Sequence, residues 1–421
     1  MPKKRSIILG KLARRAARLR GGGSAFPGLV IEKTDKTFVY DCLSQILRGI
    51  VVISGTNGKT TTTKIAVELL ESQGLKVFTN CTGSNLLRGI IAALIEQIGF
   101  DGKLHADIAV LELDEAHATH LVNIISPKYS VLLNVFSDQT ERFTSVDQTA
   151  EYLARIAQKT TDTMITNRDD FRLSKIEVDS NIVYFGASSE LAEQFQYAEK
   201  SAQSNSSDED LTKAADITRK EAFVTLEEYS PNKTTYLIGE NAYTAKLSLS
   251  GIYNSLNAAA ALTLVKTILP DSDTQNLIST LSLVQPAFGR GEIFEINGSK
   301  IEMLLVKNTS GFGLILNSFD PEGYEHMIVT NNAVADGIDI SWYRDVDFSK
   351  LKKSGVSILS GTCAAEVSGY LKEQAIPHSH IDEDIISAIT RFLANSNNPK
   401  RIYCSYTAML TVRKHLAKLA K

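Results

Sequence analysis

Cysteine is scarce and scattered in this sequence. Cys42, Cys81, Cys363 and Cys404 are the whole complement, and no two of them form a C-x-x-C pair. That spacing argues against a zinc ribbon or a disulfide framework, and a reducing cytoplasm is the expected setting. Tryptophan occurs once, as Trp342, and histidine seven times. His117 and His120 stand three apart with no evident third ligand, so they read as a metal pair or as a solvated helix face. Long apolar runs are missing as well. None reaches the ~18 residues needed to span a bilayer, and no secretory leader is expected. Neither charge dominates. Forty-five Lys and Arg stand against 48 Asp and Glu, a net of −3, which gives no reason to expect general nucleic-acid binding.

What is present is an ordinary globular composition, 43% apolar and 22% charged, over 421 residues. That length is too great for one core, so two or three domains are expected. The start is locally basic, with Lys3, Lys4, Arg5, Lys11, Arg14, Arg15, Arg18 and Arg20. Residues 7–19 have helical spacing, with Ile8, Leu12 and Leu19 between the charges. Such a helix can lie on an anionic membrane surface or pack on its own domain. A breaker, Gly21-Gly22-Gly23-Ser24, follows.

Residues 49–54 then read as a short buried strand. Further apolar strands are expected at 76–79, 108–113 and 129–135, alternating with helical segments. This pattern predicts a parallel sheet covered by helices, an α/β class. Residues 190–220 are polar and lack core residues, so they read as an excursion from the central domain. Residues 236–249 alternate like a strand pair turning at Gly239-Glu240-Asn241, and 257–269 read as a helix. A second βα-like pattern has expected strands at 303–306, 326–330, 356–360 and 401–404. The expected organisation is a basic helix and lead-in over 1–45, a central domain over 46–290 and a smaller α/β domain over 291–421.

The strongest chemical signal is Gly55-Thr56-Asn57-Gly58-Lys59-Thr60-Thr61. A strand feeds a glycine turn that opens a helix, so backbone N–H groups and the helix dipole face one point where phosphate can sit. Lys59 would reach the outer phosphates of ATP, and the Thr60 hydroxyl would hold Mg²⁺. Only Thr56 and Asn57 separate the two glycines, a shorter form than the usual P-loop. Glu112-Leu113-Asp114-Glu115 follows the third strand. Magnesium takes oxygen ligands, and Glu112 at a neighbouring strand end would face the loop. The other reading of this cluster is a set of acids at a helix N-terminus. Asn134, Asp138 and Arg142 follow the fourth strand, as a surface loop or as part of the same edge.

In order and spacing, the glycine loop, Glu112, Asn134, Gly251-Ile252-Tyr253-Asn254-Ser255-Leu256-Asn257-Ala258 and Gly289-Arg290 resemble the Mur ligase family. The resemblance implies its fold: a central P-loop domain with a parallel-rich sheet and a C-terminal α/β domain. It also implies that ATP phosphorylates a carboxylate and an amine attacks the acyl phosphate. Asn254 and Asn257 would then lie on the adenine side, with Tyr253 where a histidine is common. Arg290 would reach ATP phosphates from the domain junction.

Three further stretches are similar to the MurT branch of that family. They are Lys307-Asn308-Thr309-Ser310-Gly311, the run Ala335-Asp336-Gly337-Ile338-Asp339-Ile340-Ser341-Trp342 with Asp345, Asp347 and Phe348, and Tyr406-Thr407-Ala408-Met409-Leu410. Gly83-Ser84-Asn85 and Asp138-Gln139 fit as well. The branch implies a glutamine amidotransferase partner of the GatD kind, lipid II as substrate, and amidation of its D-glutamate α-carboxylate. Asp339 would complete the partner's cysteine–histidine pair, whereas read alone it is equally a cap before Ser341-Trp342. Thr309-Ser310 departs from the Pro-Ala of the branch. The four-cysteine zinc ribbon of many members has no counterpart here, so no zinc is expected. The alternative functions are a stand-alone amino-acid ligase of the Mur type and an ATP-binding regulatory protein.

Overall fold

The computed structural model describes residues 1–19, 26–80, 86–136, 146–201, 219–231, 233–286 and 289–420. Helices α1 (Lys4–Leu19), α2 (Phe26–Thr34) and α3 (Phe38–Leu43) lead into β1 (Ile50–Ser54) and α4 (Lys59–Ser72). There follow β2 (Val77–Thr79), α5 (Leu87–Gln97), β3 (Ile108–Glu112), α6 (Glu115–Leu121), β4 (Tyr129–Leu132), α7 (Val146–Gln158) and β5 (Thr163–Asn167). Then come β6 (Asn181–Ala187), α8 (Ser189–Ser201), β7 (Val224–Ser230), β8 (Lys233–Ile238), β9 (Asn241–Ala245), α9 (Ile252–Ile268) and α10 (Thr274–Leu283).

The nine strands form one sheet in the order β2-β3-β1-β4-β5-β6-β7-β8-β9. All pairs from β2 to β7 are parallel, and β7, β8 and β9 close the far edge as an antiparallel meander. β1 is Ile-Val-Val-Ile-Ser and every residue of it is buried. Such β-branched strands suit the centre of a parallel sheet covered on both faces. One face packs Ile65 and Leu69 of α4 and the alanine run Ala258–Ala261 of α9. The other packs Ile7, Ile31 and Phe38 of α1 to α3 with Ile90 and Leu94 of α5. α9 is apolar nearly all round because it lies deep in its layer.

A second sheet follows. Its elements are β10 (Glu292–Ile296), β11 (Ser299–Leu305), α11 (Thr309–Ser318), β12 (Glu325–Val329), β13 (Val356–Ser360), α12 (Ala364–Glu373), β14 (His378–Asp382), α13 (Ile385–Ala394), β15 (Lys400–Cys404) and α14 (Tyr406–Leu419). The order is β10-β11-β15-β12-β13-β14, with only the β10–β11 pair antiparallel.

The structure adds strands to those expected. β5, β6 and β7 extend the first sheet, and β10 and β14 flank the second. The polar stretch expected to leave the central domain begins as α8, which lies between the adjacent parallel strands β6 and β7 in the chain. Its Leu191 and Ala192 are buried, and Phe195 packs on Phe136 and on Leu314 of α11. Residues 202–218, Gly83-Ser84-Asn85 and the Asp138–Arg142 segment fall outside the described residues. Among the described residues, no helix is long and apolar enough to cross a membrane.

Candidate functional site

The first sheet turns its chain direction at β1. From β1 the chain steps outward to β2, returns to β3 and crosses to β4 on the other side of β1. The carboxyl ends of β3, β1, β4 and β5 therefore meet at a switch point, where open α/β sheets bind ligands. Residues 55–58 leave β1 there and open α4.

Gly58 caps α4 with φ of +89°, and a Cβ at this position would lie 2.3 Å from Asn257 Oδ1. Only glycine fits both constraints. The loop is tied to the end of β4. The Thr56 N–H donates to the Asn134 carbonyl at 3.0 Å. The Asn57 N–H donates to Asn134 Oδ1 at 2.8 Å, and Asn134 Nδ2 donates to the Asn57 carbonyl at 3.0 Å. Asn134, expected at this edge as a nucleotide-binding residue, clasps the loop from both sides.

The Thr60 hydroxyl donates to Glu112 Oε1 at 2.7 Å. Glu112 is fixed by Asn80 at the end of β2: its N–H donates to Asn80 Oδ1 at 2.9 Å, and Asn80 Nδ2 donates to its carbonyl at 2.8 Å. Lys59 Nζ donates to the Thr56 carbonyl at 3.2 Å and pairs with Glu115 Oε2 at 3.2 Å. Glu115 is 2% exposed. The acidic cluster therefore divides its work: Glu112 faces the threonine and Glu115 faces the lysine. Asp114 holds His117 Nδ1 at 3.1 Å. Among the described residues no group of three His, Cys, Asp or Glu is placed to hold a metal.

A cleft opens above the loop between the two sheets. Thr56 to Thr61, Glu112, Asn134, Asn254, Asn257 and Arg290 all line it. Gly55 lies below it, buried at the end of β1. Asn254 and Asn257 are buried on the first turns of α9, where Asn254 Nδ2 donates to the Ser250 carbonyl at 2.7 Å. Tyr253 also lines the cleft, and burial pushes its phenol pKa up. Burial lowers the Arg290 pKa, and the Glu112 carboxylate works against that shift.

The second domain supplies the opposite wall through Leu304, Leu305, Lys307, Gly311, Leu314 and Ile315. Asn308 caps α11 by accepting the Gly311 N–H at 2.7 Å, and its Nδ2 lies 3.4 Å from Asn57 Oδ1. Asn167, which ends β5, and Asp169 and Asp170 just after it also line the cleft and were not anticipated. Asp170 accepts the Val135 N–H at 2.7 Å and the Arg172 and Leu173 N–H groups at 3.0 Å. Burial pushes its carboxyl pKa up. Phe136 and Phe195 add an apolar side.

Asp339 is not brought to this cleft. It is exposed on the loop after β12, and its Oδ1 accepts the Ser341 N–H at 2.8 Å, opening the short 3-10 turn Ser341–Asp345. Asp336 lies buried beneath it and accepts the Thr407 N–H at 2.6 Å.

Comparison with known proteins follows this division. Residues 53–265 match the Mur ligase middle domain, and residues 305–409 match the MurT ligase C-terminal domain. The MurT subunit of a glutamine-hydrolysing lipid II isoglutaminyl synthase from Streptococcus pneumoniae is 28% identical, over 94% of this chain and 93% of that protein. The subunit of the same name from Staphylococcus aureus is 29% identical, over 92% and 91%. Among solved structures, a MurF ligase from Thermotoga maritima in complex with ADP superposes with a TM-score of 0.69 at 19% identity. The superposition covers 92% of this chain and 84% of that one, and it shows a shared fold. With its glycine loop and cleft in the matched middle domain and a MurT-type domain closing over them, the chain belongs to the Mur ligase family and is an enzyme of the ligase class.

Proposed function

We propose that this chain uses ATP to activate the α-carboxylate of the D-glutamate in the lipid II stem peptide, so that ammonia can convert it to the amide. The observation that carries the reading is the pairing of a phosphate-binding edge with a MurT-type wall across one cleft, joined where Asn57 meets Asn308.

The chemistry runs in two steps. A carboxylate oxygen attacks the γ-phosphorus, the bond to the bridging oxygen breaks, and ADP leaves. Ammonia then attacks the acyl carbon of the acyl phosphate, phosphate leaves, and one proton is lost. The first step needs positioning and neutralisation of phosphoryl charge. Lys59 and Arg290, two of the cations lining the cleft, are assigned that task, and the loop N–H groups add fixed dipoles. Thr60 and Glu112 would hold Mg²⁺. Their oxygen donors meet at one point and suit a hard cation. When bound, the ion neutralises charge on the phosphates. Asn254 and Asn257 would lie on the nucleotide's base side.

Ammonia is the remaining requirement. The relatives' names describe a subunit of a glutamine-hydrolysing enzyme. We assign the ammonia supply to a glutamine amidotransferase partner of the GatD kind, and Asp339 to positioning that partner's catalytic imidazole. The lipid-linked substrate would bring the work to a membrane surface.

The test is reconstitution. The purified chain with such a partner should amidate lipid II in a reaction that needs both glutamine and ATP and releases ADP. Coupling of an amino acid to a nucleotide-linked precursor without any partner would replace this reading with a stand-alone ligase. ATP binding with no ADP formed on any peptidoglycan substrate would favour a regulatory role.

A further inference from the structure

α1 is anchored by Ile7 and by the small residues around it. Ser6, Ile7, Gly10 and Ala13 are buried against α2 and α5. A Cβ on Gly10 would lie 2.8 Å from the Ile95 side chain, so the helices approach closely there. Ser6 donates to Asp35 at 2.6 Å.

Three other large apolar residues point the other way. Ile8 is 50% exposed, Leu12 60% and Leu19 82%. At about 100° per residue these three, with Arg15 among them, fall on one narrow stripe of the helix. Exposed Lys4, Arg5 and Arg18 flank it, with Arg18 3.8 Å from Glu96. Lys11 lies over the ring of Phe100, which is itself 71% exposed. The first twenty residues hold eight Lys and Arg and no Asp or Glu, within a chain whose net charge is −3. The basic charge is therefore concentrated on this helix while the rest of the chain is acidic.

We propose that the outer face of α1 docks the protein on an anionic lipid bilayer. Two features select this occupant. The basic rim is complementary to acidic headgroups, which attract such clusters within a Debye length. The Ile8-Leu12-Leu19 stripe supplies side chains that enter the acyl boundary, and a nucleic-acid backbone would have no use for them. The helix is already folded and held by its inner face, so docking does not require it to be ordered at the surface. The inference stands apart from the activity proposed above, since it needs neither ATP nor a lipid-linked substrate.

The experiment is co-sedimentation of the full chain with phosphatidylcholine vesicles, with and without phosphatidylglycerol, in the absence of ATP, substrate and partner. Binding should be at least about tenfold stronger on the anionic vesicles and should weaken as salt shortens the Debye length. Replacing Ile8 and Leu12 together by serine should lower binding about tenfold. Replacing Arg5 and Arg15 by glutamate should lower it by at least as much. Ile293→Ser, at an exposed apolar site on the second sheet, should leave it unchanged. ATP-dependent thermal stabilisation of each variant checks that the fold persists. Equal binding to neutral vesicles, or variants that bind like the parent, overturns the proposal. So does a change of oligomeric state in the Ile8/Leu12 variant, which would assign the stripe to a second copy of this chain. Failure of amidation in the reconstituted system would leave this result standing.

Discussion

Two loop-bearing edges of this molecule are anchored alike and differ in what they leave exposed. At the first sheet, the loops after β1, β3, β4 and β5 turn inward. Asn134 clasps Asn57 and Glu112 takes the Thr60 hydroxyl, each from beside a neighbouring strand end, and Glu115 takes Lys59 from the first turn of α6. At the second sheet, the loop after β12 is pinned from below by Asp336 through the Thr407 N–H. Its upper side is turned out, with Val334 80% exposed, Ile338 59% exposed and Asp339 beside them. The inward edge gathers Lys59, Arg290 and oxygen donors at one cleft, which suits a small, highly charged ligand. The outward edge displays apolar and acidic side chains on a fixed base, which suits a protein surface. The difference lies in which side chains carry the anchoring hydrogen bonds: functional ones in the first case, a buried aspartate in the second.

The largest effect should come from the inward edge. Lys59→Met should lower ATP-dependent turnover about 10³-fold, because it removes a fixed cation from developing phosphoryl charge. It should also lower thermal stability, since the buried Glu115 loses its ion pair with Lys59. Adding Glu115→Gln should restore the melting temperature and leave turnover low. Recovery of turnover in the double variant would mean that the lysine only balances Glu115.

Acidification separates the two domains. His326 on β12 is 1% exposed, with its ring between the Pro321 carbonyl at 3.2 Å and the Tyr403 hydroxyl at 3.3 Å. Burial lowers its pKa from 6.5 to about 4. The unfolded chain binds this proton first, so the stabilisation is complete above pH 6.5 and is lost as pH falls through 4. Over that window the second domain should lose up to about 3 kcal/mol. Denaturant melts followed from pH 7 to 4 should show it, and His326→Asn should flatten the response. If both domains unfold in one transition at every pH, they form a single cooperative unit and the contrast is one of surface alone.

Asp339→Asn tests the outward edge. With the partner present, glutamine-driven amidation should fall about 10²-fold while turnover with free ammonia stays near the parent value. The asparagine still caps the Ser341 turn, so stability should hold. Equal loss with both nitrogen sources would place Asp339 in the chain's own chemistry.

The inward edge was largely legible in the sequence because its parts are local. A strand, a glycine turn and a helix follow one another without a gap, and parallel strands must end on one side, which places Glu112 and Asn134 beside the loop. What escaped was written in polar residues. β5 is Thr-Met-Ile-Thr-Asn and wholly buried, yet it lacks the apolar run that marks a central strand, so Asn167, Asp169 and Asp170 went unseen with it. β14, His-Ser-His-Ile-Asp, is a polar edge strand. Phe195 sits on a helix whose composition suggested no packing at all. α1 departs from the usual rule: its spacing sets Ile8, Leu12 and Leu19 between the charges, whereas the face buried against α2 and α5 is Ile7 with Ser6, Gly10 and Ala13. Hydrophobicity reports what prefers burial, and here the room available decided which face was buried.

The smallest predicted effect concerns a residue that joins the two walls of the cleft. Asn308 caps α11 through Gly311 and reaches Asn57 of the phosphate loop at 3.4 Å. Asn308→Ala removes the cap and should cost about 1 kcal/mol of stability. Aspartate caps a helix as well as asparagine does, so Asn308→Asp should return that stability in a thermal melt. It also replaces the amide donor facing Asn57 with a carboxylate beside the phosphates. Binding of ATP should therefore weaken about fivefold in the aspartate variant, an effect of about 1 kcal/mol, and the weakening should shrink as salt is raised. Alanine, which brings no charge, should disturb nucleotide affinity less than aspartate while disturbing stability more. If aspartate restores both properties, the contact between the two walls of the cleft contributes nothing to nucleotide binding, and Asn308 serves its own helix only.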